Sequence, residues 1–178
     1  EKFPIEVADG KAAFAFDYWF DSSDINATEL SNLRADVERV RIVPKGEAWN
    51  LLTVGSLKLR EGNVLPMRRD FSAGSLAAAG IGVSAHRGPD GTIDWVRYIE
   101  QIQEAFPEDE NETKEPWNYR IGKVSAEGIG AEWTDHAPKA PYRATLSNAR
   151  IETGAIDSDP AKPLPLFAST DQIAVSRL

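Results

Sequence analysis

A loosely spelled phrase occurs three times along this chain and limits what it can fold into. In each copy a short apolar strand runs into a glycine, and a later strand opens on an apolar, small-residue stretch. The copies start at Pro4–Gly10, Val54–Gly62 and Ile121–Gly128, and they are answered by Leu30–Arg34, Leu76–Gly80 and Leu146–Arg150. Repeats of this kind point to stacked strand units, here about 4–43, 50–86 and 117–156, and not to a one-off catalytic globule.

Local patterning agrees. Phe14, Phe16, Tyr18 and Phe20 share one parity over Lys11–Phe20, so a period of two places them on one face of a strand. Asp9-Gly10 just before it is a turn signal, which predicts a hairpin of Ile5–Ala8 with Lys11–Phe20. Leu33, Ala35 and Val37 fall on odd positions and Val40 and Ile42 on even ones, so a bulge is expected near Glu38-Arg39. Further strands are predicted over 51–60, 63–68, 75–85, 117–133, 142–155, 164–168 and 172–175. The 75–85 strand is thin in side chains and lets something pack close.

One helix is expected, over about 94–106. Asp94 can cap it, and Trp95, Ile99, Ile102 and Phe106 make a stripe that needs a sheet beneath it. Pro107 ends it. The acidic run 108–115 reads as a solvated loop inserted between repeats. The predicted fold is therefore mainly β: an extended, curled antiparallel sheet of repeated hairpins, with one amphipathic helix packed on it.

Bulk properties remove several function classes. The formal net charge of −8 and pI of about 4.8 argue against nucleic acid and against adsorption onto an anionic membrane. The absence of cysteine excludes disulfides, thiolate metal sites and a cysteine nucleophile. No stretch nears the roughly 18 apolar residues of a membrane-spanning helix. The chain opens on Glu1-Lys2-Phe3-Pro4 and closes on the strand-like Ile173–Leu178, so it reads as a segment of a larger protein.

No motif supplies a catalytic centre. The two histidines, His86 and His136, sit beside turn-forming residues and read as turn or surface positions. Asp157-Ser158-Asp159 lacks the glycine and distal glutamate of a calcium loop. No Gly-x-Ser-x-Gly elbow, phosphate loop or dinucleotide fingerprint is present. The 28 acidic residues keep a carboxylate-based hydrolase in view, but most alternate with basic residues, as on the wet face of a sheet. The expectation is no catalytic residue, no metal and no cofactor.

The remaining candidate is the apolar stripe itself: Phe14, Phe16, Tyr18 and Phe20, with Leu57, Leu59, Val124 and Ala126 on the equivalent strands of the later repeats. It either closes into a core or lines a groove for an apolar ligand. An acyl chain needs no polar contact to bind, since each buried methylene contributes about 0.8 kcal/mol. The competing reading is a self-contained β-sandwich that binds glycan or protein, with Trp19, Trp49, Trp117 or Trp133 as stacking platforms.

The order of several phrases carries a resemblance. Arg87–Gly91 is followed by Ile93-Asp94-Trp95, the acidic spacer, Pro116-Trp117, a strand, Trp133–His136 and Pro141–Asn148. From about Ile5 to Leu178 the chain resembles the AsmA-like branch of bacterial envelope proteins, related to TamB. The resemblance rests on degenerate strands and not on a catalytic signature. It implies a large periplasmic protein anchored in the inner membrane outside this segment. It also implies a long curled sheet with a greasy groove, phospholipid as partner together with other envelope proteins, and a part in moving lipid toward the outer membrane.

Overall fold

The computed structural model describes residues 3–105 and 116–178. In chain order the strands are β1 (Ile5–Trp19), β2 (Glu29–Pro44), β3 (Leu52–Leu65), β4 (Asp70–Arg87), β5 (Asn118–Asp135), β6 (Tyr142–Thr153), β7 (Ile156–Asp157), β8 (Leu166–Ser169) and β9 (Gln172–Arg177). One α-helix, α1 (Asp94–Ala105), lies between β4 and β5. Phe106, Pro107 and the acidic run fall outside the described residues. All nine strands join one sheet, in the order β1-β2-β3-β4-β5-β6-β8. β7 adds to β5 beyond the end of β6, and β9 adds to β6 beside β8.

The sheet is mainly β as expected, but it is mixed and not wholly antiparallel. β4 and β5 pair in parallel, Asp70 with Asn118 through Arg87 with Asp135. Parallel neighbours need a crossover of a dozen or more residues. The stretch holding α1 is that crossover, so the insertion between repeats is also what turns the chain back to the same end. We call the end with His86, Asp135 and Tyr142 the upper end, and the end with Asp70 and Asn118 the lower one.

The predicted hairpin at Asp9-Gly10 does not form. β1 runs straight through it and pairs with β2 on both sides, with register shifts at Val7/Asp9 and Asp9/Lys11. Asp9 Oδ1 accepts from the Gly10 N–H at 2.8 Å, and Gly10 packs on Val40, so the dipeptide makes an irregularity within the strand. Likewise, the predicted break between 60 and 63 is a left-handed residue, Glu61 at φ 54°, inside one continuous β3.

Left-handed residues recur in two lines across the sheet. The upper line joins Arg39 (φ 53°) on β2, Gly80 (φ 65°) on β4, Gly128 (φ 62°) on β5 and Asn148 (φ 51°) on β6. Gly55 of β3 lies between Arg39 and Gly80, and a Cβ there would stand 2.9 Å from the Ala79 carbonyl oxygen. The lower line joins Asn32 (φ 52°) on β2 to Glu61 on β3, with Gly74 of β4 against Glu61 and Gly122 of β5 against Gly74. What packs close to the thin strand is therefore the neighbouring backbone. Each irregularity bends its strand, so side by side they bend the sheet along two lines.

They also shift the alternation by one residue. On β4 the apolar positions run 76 and 78, then 81 and 83; on β5 they run 124 and 126, then 129 and 131. Because the slips fall in register, the same face stays apolar above and below each line.

The large buried apolar side chains gather at one corner. Among the described residues the buried apolar ones are Val43, Leu51, Ala73, Tyr98 and Ala149. Leu51 and Val43 have the parity of Ser84 and His86, opposite to Ile42, Leu52 and Val83, and α1 lies over that side. Trp95 Nε1 donates to the Ser84 carbonyl at 2.8 Å, and Asp94 pairs with His86 Nδ1 at 3.0 Å. The predicted helix stripe is rotated: Tyr98 is buried, while Ile99 is 48% exposed. Asp94 fixes this rotation, since its Oδ2 also accepts the His86 backbone N–H at 3.0 Å and holds the first turn on β4. The residue one turn on is Tyr98, which lands beneath.

Candidate functional site

Register and parity sort every strand residue onto one of two faces. The face away from α1 is mainly apolar, with Thr153 in one row and the Arg87–Asp135 ion pair at its upper end. In its middle, one row reads Phe14, Ala35, Leu59, Leu76, Val124, Thr153, Leu166, and the next reads Ala12, Val37, Leu57, Ala78, Ala126, Ile151, Ala168. Above the upper bend the row is Val7, Ile42, Leu52, Val83, Ala131, Leu146, Ile173. Below the lower bend it is Tyr18, Leu30, Val64, Phe71, Tyr119. With strands about 4.8 Å apart, a seven-strand row spans roughly 30 Å.

The predicted site residues fall on this face. Leu59 and Val124 share one row, and Leu57 and Ala126 share the next; all four are half-buried. Phe14, Phe16 and Tyr18 lie on the edge strand β1 and are 66%, 53% and 61% exposed. Phe20 lies just past the end of β1 and stacks on Tyr18, with ring centres 6.4 Å apart and planes at 8°. Sequence reasoning missed the opposite edge, where Ile151, Leu166, Ile173 and Val175 face solvent. Their signal is alternation, which for Leu166, Ile173 and Val175 falls in strands too short to stand out.

The other face is ionic. Asp36 pairs with Arg60 at 2.5 Å, and the Arg60 hydrogen bond holds the Asp36 carboxyl below its usual range. Glu152 is lowered by Lys123 at 2.8 Å and then by Arg150 at 3.1 Å. Asp157 is held far below the usual carboxylate range by Lys162, then by the Asp159 backbone N–H and Arg120. Its charge is thus engaged by two cations within the chain. These acids work as partners in ion pairs, which is how an outer face stays wet.

The remaining candidates are dispersed. His86 belongs to β4 and not to a turn; it is held by Asp94 and meets Trp49 edge-on at 4.5 Å. A hollow of about 550 Å³ opens beside it, lined by Trp49, His86, Asp90, Arg97 and Tyr98 among others. His136 donates its backbone N–H to the Arg87 carbonyl at 2.9 Å. The four tryptophans considered as stacking platforms form no row, since Trp49 and Trp133 lie at the upper end and Trp19 and Trp117 at the lower. No cluster of metal-ligating side chains occurs among the described residues.

Nothing among the described residues covers the apolar face, and the accessible surface shows what that means. It is 12,086 Å², against the roughly 8,600 Å² expected for a folded monomer of 19.6 kDa. The class that fold and site define is a single-layer amphipathic sheet with a bare apolar side. No family model, curated protein or solved structure matches the chain. None of the described helices is long and apolar enough to cross a membrane.

Proposed function

We propose that the apolar face carries lipid by its acyl chains, and that the segment is a non-enzymatic part of a bacterial envelope protein of the AsmA-like kind, working in the periplasm. One observation carries this reading: four rows, apolar at every position but Thr153, cross a one-layer sheet, and the helix that could have covered them lies on the opposite face. A compact soluble domain does not leave so large a contiguous apolar surface to water. Acyl chains suit it because they ask for area and no polar contact. A single chain extends over about half of the ~30 Å hydrocarbon core of a bilayer, so each row has room for one lying along it. The rows also stay open at both edges of the sheet, where neighbouring segments of an envelope protein would continue the surface.

Solvent extraction of the purified chain followed by mass spectrometry tests the reading. Phospholipid near one or more per chain is the expected result. Protein that is free of lipid when purified from a bacterial envelope, and that takes up none from vesicles, would sink it. Binding of a glycan panel by such a dry protein would favour the ligand-module reading, although the single open sheet is not the sandwich on which that reading was built.

A further inference from the structure

The two middle rows of the apolar face differ in size strand by strand. Where one row holds a large side chain, the other holds a small one: Phe14 and Ala12 on β1, Leu76 and Ala78 on β4, Leu166 and Ala168 on β8. β2, β5 and β6 also carry unequal residues in the two rows, and only β3 has two alike, Leu57 and Leu59. On β4 these two rows fill the apolar side of the section between the bends at Gly74 and Gly80, and on β5 that of the section between Gly122 and Gly128.

We propose that the chain, when it carries no lipid, closes this face against a second copy of itself, sheet on sheet. The relation that fits is a two-fold axis lying in the contact, parallel to the two middle rows and midway between them. Such an axis lays each strand antiparallel over its own copy, brings each row onto the other and exchanges the upper bend with the lower. Large side chains then meet small ones on every strand but β3, as interdigitating layers require. A two-fold contact has to be self-complementary in this way. Sheets that pack face to face lie about 10 Å apart with their strands roughly aligned, which is the arrangement the axis produces. The area is sufficient. Seven strands across and the 14 residues of β3, at about 3.4 Å each, give a face of roughly 1,400 Å² per copy. A pair would bury roughly 2,800 Å², within the roughly 2,000–5,000 Å² of obligate homodimers, whose contacts are also mainly apolar. An acyl chain is uniform along its length and gives unequal rows no purpose, whereas a second copy uses them. The pairing rests on the geometry of the face; that lipid displaces the second copy rests on the proposed function.

Light scattering on the full 178-residue chain, stripped of lipid on a hydrophobic resin, tests it. The mass of two chains is expected, falling to that of one after phospholipid is taken up from phosphatidylcholine vesicles. Ala78→Leu sets a leucine against the partner's Leu76, twice in each pair, and should weaken pairing by about tenfold or more. The exchange Leu76→Ala/Ala78→Leu puts large against small again and should bring the pairing back. Both variants change side chains on an open face, so their circular dichroism should match the parent's. Lys58→Ser, on the ionic face, should pair like the parent. A stripped chain that stays single, an Ala78→Leu variant that pairs undiminished, or an exchange that restores nothing would each overturn the pairing. Lipid uptake is read separately: a stripped chain that stays single yet takes up lipid overturns the pairing alone, and a pair that takes up no lipid and is not dispersed by it overturns only the acyl-carrying face.

Discussion

Both faces of the sheet come from the same strands, alternating residue by residue, yet they meet water in opposite ways. One carries Asp36–Arg60, Lys123–Glu152 and Arg120–Asp157 and is overlaid at its upper end by α1. The other carries four apolar rows under no cover that the described residues provide. In an ordinary sheet protein the second layer packs on the apolar side, because that burial drives folding. Here the layer packs on the polar side, over Leu51 and Val43. The comparison teaches that the packing which stabilises the sheet lies on the side of α1, away from the apolar rows. Ladder hydrogen bonds and the packing beneath α1 hold the sheet, and none of the described residues covers the apolar side.

The largest test of that division is Leu51→Ala. Leu51 is 1% exposed, so its truncation should cost about 3 kcal/mol, or roughly a 10 °C fall in Tm. Lipid content per folded chain should stay at the parent's value. A cost no greater than that of Leu57→Ala would mean that the corner is not what holds the fold. Next comes Leu57→Ser/Leu59→Ser on the open face. These side chains are half-buried, so the pair should cost only about 1–2 kcal/mol in thermal melts. Extracted lipid, however, should drop by about tenfold, since the two middle rows lose their central side chains. Lys58→Ser, between them on the ionic face, should leave lipid content alone. Equal losses from both faces would erase the comparison.

The sequence made the strands legible because alternation is a local property, and it showed one parity slip, at Glu38-Arg39. A second slip, at Glu61 on β3, looks in the sequence like a gap between strands, since Glu61 carries no glycine-like mark of its left-handed backbone. Asp9-Gly10 carries the signature of a hairpin turn, but a dipeptide cannot show by itself whether the chain reverses. Parallel pairing of β4 with β5 depends on where the crossover lands, which no window of residues encodes. The apolar stripe was found on β1, β3 and β5. Its continuation through Ile151, Leu166 and Ile173 needs the register, and Leu166 and Ile173 lie in short strands besides. Which face stays bare was not legible at all. It follows from Asp94 gripping His86, a contact across a turn that rotates α1 onto Tyr98.

A smaller effect is expected where the upper line of bends crosses β4. Gly80 adopts φ 65° and lies against Gly55. Gly80→Ala should cost about 1 kcal/mol, because a Cβ is disfavoured in the left-handed region. Relief of that strain by straightening the strand would turn Ile81 and Val83 to the ionic face and put Gly82 and Ser84 in their place. Hydrogen exchange should therefore rise along β4 above residue 80 and stay at the parent's level below it. Uniform exchange along the strand would show that the bends are incidental to keeping one face apolar.

The smallest effect separates the faces by pH. Asp36, Glu152 and Asp157 are held below the ordinary carboxylate range by Arg60, Lys123 and Lys162. The unfolded chain therefore takes up their protons first as pH falls, and stability is lost on the acid side. Their contribution is complete above the unfolded carboxyl values of about 4 and disappears as pH drops through the lower folded values. Tm should be nearly flat from pH 7 to about 5 and then fall, more gently in Lys162→Ala, and salt should shrink the difference because these pairs are open to solvent. The open face has no acid in its four rows to titrate. Lipid should accordingly stay bound through the onset of the fall in Tm and leave only with unfolding; release that tracks protonation ahead of unfolding would place a carboxylate in the lipid contact and join the two faces in one function.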